Sequence, residues 1–96
     1  MKTYLIQRNV PGAGKFSAAE QKALAQRSCE VLSKMDFEHI QWLHSYITSD
    51  NLWCVYKAEN EELIREHARK GGFPANDILE VFSTINPATA EIEIAV

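Results

Sequence analysis

The chain has 96 residues, which suits one domain and leaves no room for two. A formal net charge of −3 excludes the chain-wide basic field that phosphate binding needs, so nucleic acid is not an expected partner; 46% hydrophobic against 24% charged residues excludes a disordered chain. No apolar run approaches the roughly 18 residues that span a bilayer, and the start, MKTYLIQRNV, lacks an apolar core with a small-residue cleavage site, so the expectation is a cytoplasmic protein with no membrane partner.

KTYLIQR (2–8) reads as a strand by its β-branched and aromatic content and ends at the turn formers NVPGAGK. Ser17 with Glu20 three residues on is a capping box, and Leu24, Ser28, Val31, Leu32 and Met35 follow at helical spacing, so a first helix should run to about Asp36. Residues 39–48 and 51–58 form a hairpin around Ser49, Asp50 and Asn51. Asn60 can cap a second helix, EELIREHARK, that stops at Gly71 and Gly72. Residues 77–86 make a fourth strand before Pro87, and TAEIEIAV offers a short edge strand. Cys29 and Cys54 lie on different elements, far apart in sequence, which argues for two reduced thiols rather than a disulfide framework.

The order β-α-β-β-α-β is the split βαβ, or ferredoxin-like, arrangement of an α+β domain over residues 1–96: a four-stranded antiparallel sheet, both helices on one face and the other face open. Alternate strand residues point to opposite faces. That periodicity assigns Leu43, Ile47, Trp53, Val55, Leu79, Val81 and Ile85 to the helix-covered core, and Trp42, His44, Tyr46, Cys54, Tyr56, Glu80 and Phe82 to the open face; the first strand fits either way. An open face so rich in aromatic side chains exceeds what a monomer leaves wet, so a homodimer through that face is expected, of the dimeric α+β barrel type.

PGAGKFS is a turn rather than a phosphate loop, because Asn9 and Phe16 stand where that motif needs Gly and Ser or Thr. NLWCVYKA lacks the Lys/Arg-Gly-aromatic pattern of RNA-recognition sheets.

VPGAGK, QWLHSYIT, CVYKAENEELIREHARKGGFPAN and STINPATAE together resemble the DUF4242 family, from about Tyr4 to Glu91, with REHARKGGFPA the most specific block. The resemblance implies a ferredoxin-like homodimer and the binding of nickel or a similar divalent transition metal. Relatives commonly carry an acidic residue in the first strand where this chain has Gln7, which removes one candidate ligand.

The candidate metal ligands are His44, His67, Glu80 and Cys54. Imidazole suits nickel, copper and zinc, and a carboxylate or second histidine completes such a site. Each candidate also fits a structural role: His44 as a hydrogen-bonded interior residue, Cys54 as a small buried hydrophobe, and His67 as a cap on the core. A three-residue turn at 48–50 would set His44 directly opposite Cys54. His39, at a strand start, reads as solvated, and Cys29 as packing. Two functions follow: a non-catalytic, metal-binding homodimer acting as buffer or sensor, or a small-molecule enzyme with His44 as acid or base and Tyr46 or Tyr56 as proton donor.

Overall fold

In the computed structural model, which describes residues 1–35 and 38–94, strand β1 (Lys2–Asn9) is followed by helix α1 (Ala18–Ser33), strands β2 (Ile40–Ile47) and β3 (Asn51–Ala58), helix α2 (Glu61–Gly71) and strand β4 (Asp77–Val81). The sheet is antiparallel in the order β2-β3-β1-β4, the ferredoxin-like order expected of this element sequence.

Local chemistry sets the boundaries. The Ser17 hydroxyl accepts from the Glu20 backbone N–H while the Ser17 N–H donates to the Glu20 carboxylate, so two orphan donors at the start of α1 are satisfied together. The helix ends at Ser33 with Lys34 as its C-cap; Asp36, where the sequence sets the stop, lies outside the described residues. Asn60 caps α2 by accepting from Leu63, and Gly72, at φ 67°, supplies the left-handed residue that closes it.

Register fixes the faces and overturns part of the sequence-based assignment. Tyr56 pairs with Tyr4, Cys54 with Ile6 and Leu52 with Arg8, and these side chains are buried beneath the helices. Trp53, Val55, Leu79 and Val81, expected in the core, lie on the open face instead; Trp42, Cys54, Tyr56 and Glu80, expected on the open face, lie on the helix side. Both faces of β3 carry apolar side chains, so the pairing with Tyr4, Ile6 and Arg8, and not apolar content, decides which of them the helices cover.

The hairpin deviates twice from simple alternation. Thr48 N–H donates to the Asn51 carbonyl, so the connection is the two-residue Ser49–Asp50 turn and not the three-residue turn that would pair His44 with Cys54. A β-bulge at Leu43 then shifts register between Trp42 and His44, so that Trp42 pairs with Tyr56 but His44 with Val55.

Strand β4 stops at Val81, short of the expected residue 86; over 89–96, where the sequence offers an edge strand, the described residues form a 3-10 turn (Pro87–Glu91) followed by irregular chain, and 95–96 lie outside the described residues. Phe82 is 88% exposed, and Ile85, Ile92 and Ile94 are also exposed, so the tail leaves the body with its apolar side chains uncovered. The radius of gyration of 15.3 Å reflects this extension, since about 12–13 Å is usual for a compact chain of this length.

Candidate functional site

Three rows cross the open face. His44 lies in line with Val55, Leu5 and Leu79; Tyr46 with Trp53, Gln7 and Asp77; Gln41 with Lys57, Thr3 and Val81. His44 is exposed, and its ring meets that of Tyr46 edge-on at 5.1 Å between centroids. Its row supplies no second donor atom. The Gln7 amide, in the next row, donates to the side chains of Asn9 and Asn51.

The other expected ligands lie on the opposite side of the sheet. Cys54 is 4% exposed and faces the helices opposite Ser45. Glu80, on the edge strand, pairs with Lys2 at 3.5 Å. His67 is fully buried on α2, stacked on Phe73 at 5.3 Å and tilted against Tyr56 at 5.3 Å. Among the described residues, no group of three or more His, Cys, Asp or Glu side chains is placed to hold a metal ion. The donors among the described residues of one chain therefore do not make a complete metal centre. His39 is exposed with Glu59 3.5 Å away, and Cys29 is exposed and free. An acid–base pairing of His44 with Tyr56 is excluded by their opposite faces, whereas Tyr46 stands beside His44.

The helix side carries a polar cluster that the sequence reading missed. Arg8 is 2% exposed; its Nη1 donates to the Pro74 carbonyl at 2.6 Å, and its guanidinium carbon lies 5.5 Å from the centre of the Phe73 ring. Its Nη2 is buried without a hydrogen-bond partner, and no carboxylate among the described residues forms an ion pair with it. Ser28 shares a hydrogen bond with His67 Nε2 at 3.3 Å. Burial, and after it the Arg8 charge, lowers the His67 pKa to about 4, so the ring is neutral at pH 7. Burial raises the Tyr56 hydroxyl above its ordinary value of 10.0 despite the opposing pull of Ser28 and Arg8, so it stays protonated. The signal lay in the first strand, where Arg8 falls in phase with Tyr4 and Ile6.

Arg8, Ser28, Cys54 and Tyr56 share the wall of a cavity of about 140 Å³ with Leu24, Trp42, Ile47 and Leu52. The Trp42 indole donates to Ser45 Oγ at 2.9 Å, which fixes the ring against this cavity.

Residues 4–81 match the family described as nickel responsive protein SCO4226-like. The chain belongs to that family. The DUF4242 family, which its motifs resemble, is related to it. The crystal structure of SCO4226 from Streptomyces coelicolor A3(2) is similar to this SCO4226-like chain, with a TM-score of 0.71 at 14% identity over 86% of this chain and 99% of that one. At that identity the likeness shows the fold alone. No curated protein matches the chain. Among the described residues of this SCO4226-like protein, no helix is long and apolar enough to cross a membrane.

Proposed function

We propose that this chain is a non-catalytic homodimer that binds nickel or a similar divalent metal in the cytoplasm, as a buffer or sensor. His44 would be the ligand each copy contributes. The carrying observation is the position of His44: an exposed imidazole in an apolar row of an open sheet, with its neighbours on that face unable to complete a coordination shell. A second copy meeting the first face to face would supply the missing donors. It would also cover Tyr46, which is 60% exposed, together with Leu79 and the uncovered tail. The family's description as nickel responsive supports the choice of metal.

The test is nickel titration of untagged protein by calorimetry, for wild type and His44→Ala, with sedimentation of both. Saturable binding that the substitution abolishes, in a protein that stays folded and dimeric, is the expected result. Equal nickel affinity in the two proteins would remove His44 from the site, and a metal-indifferent wild type would end the nickel reading.

A further inference from the structure

The cavity between α1 and the sheet pairs an apolar wall with one buried cation. A guanidinium cannot shed its proton, so Arg8 carries its charge into the interior at all working pH values. A buried charge without a counter-ion bears a large desolvation penalty, and the hydrogen bond to Pro74 and the ring of Phe73 offset only part of it. The same contacts hold the guanidinium in place and leave Nη2 unpartnered. A fixed cation with a spare donor beside a cavity has the features of an anion site.

We infer that this cavity binds a small organic monocarboxylate, its carboxylate on Arg8 and its compact apolar body among Leu24, Trp42, Ile47 and Leu52. The volume of about 140 Å³ suits a body the size of one benzene ring, for which a dry apolar cavity of about 150 Å³ suffices. A second anionic group would enter an apolar wall without a partner, which selects a monoanion. Tyr56, on the same wall and protonated, carries a hydroxyl that can donate to the carboxylate. Exposed Gln21 and Ile47 form part of the lining and provide the mouth. The Arg8 charge disfavours a metal cation here, despite the neighbouring Cys54 thiol. The site faces away from His44, so it stands or falls independently of nickel binding.

Calorimetric titration of the metal-free protein with benzoate, its neutral isostere benzamide, and sulfate tests the assignment. One benzoate per chain should bind saturably, at least about tenfold more tightly than benzamide or sulfate, with a change in Trp42 fluorescence. Arg8→Met should erase the difference between benzoate and benzamide. Because that variant removes a buried contact, Ala25→Phe serves as the second: it fills the cavity from α1, and benzoate binding should be lost while the far-UV spectrum is kept. Absence of benzoate binding to the wild type, equal affinity for benzamide, equal affinity for sulfate, or undiminished binding to Ala25→Phe would each overturn the proposal.

Discussion

The Ser28 hydroxyl and the Nε2 of His67 meet 3.3 Å apart, joining α1 to α2 through a buried polar contact. The other ring nitrogen of His67 has no partner, and the ring lies between Tyr56 and Phe73. This histidine is a neutral part of the core, and protonating it sets a positive charge near that of Arg8.

A pH dependence of stability follows. The folded-state pKa of about 4 lies below the ordinary 6.5, so the unfolded chain takes up the proton first as pH falls. The stability that depends on neutral His67 is therefore complete above pH 6.5 and is lost as pH falls from there through about 4, to a total of about 3–3.5 kcal/mol. Urea denaturation at stepped pH should show this decline, and His67→Gln should flatten it within that window. An unchanged slope in the variant would mean that other groups carry the dependence.

Gly71→Ala should destabilise the protein by about 1–3 kcal/mol, although alanine is the better helix former, because the added Cβ would overlap the Phe73 ring. A thermal melt decides the sign.

Ser17→Ala removes the capping acceptor for the Glu20 N–H and should cost about 1 kcal/mol without altering any tertiary contact of the sheet. Chemical denaturation of the two proteins measures it.

Trp53→Glu places a charge at the centre of the open face, between Tyr46 and Gln7. If that face joins two copies, burying the unpaired charge costs about 3–5 kcal/mol, and sedimentation should show dimer in the wild type and monomer in the variant. A variant that stays dimeric would move the interface elsewhere.

Elements whose boundaries rest on local chemistry were legible in the sequence. The Ser17–Glu20 box, the Asn60 cap and the Gly72 termination stand where the residues set them, and the element order yielded the sheet topology. The faces were harder because β3 is apolar on both: Leu52, Cys54 and Tyr56 on one, Trp53 and Val55 on the other. Burial of Cys54 depends on the space between sheet and helices, which periodicity does not measure. His44 was rightly given to the open face, yet its expected neighbours Cys54 and Glu80 were not: the even turn sets His44 opposite Val55 and not Cys54, and Glu80 pairs with Tyr4, which faces the helices. Arg8 escaped notice because a charged residue in a strand reads first as solvent-facing.

The bulge at Leu43 has a consequence for comparing this chain with its kin. The residues on its two sides answer to different registers: Trp42 faces the helices and His44, two positions on, faces the open side, which unbroken alternation would forbid. Ligand roles should therefore be carried from one member to another only after the residues of this strand have been counted back from the hairpin tip, since the two-residue Ser49–Asp50 turn is what pairs His44 with Val55, and one residue more or fewer in that turn would move the histidine to the other side.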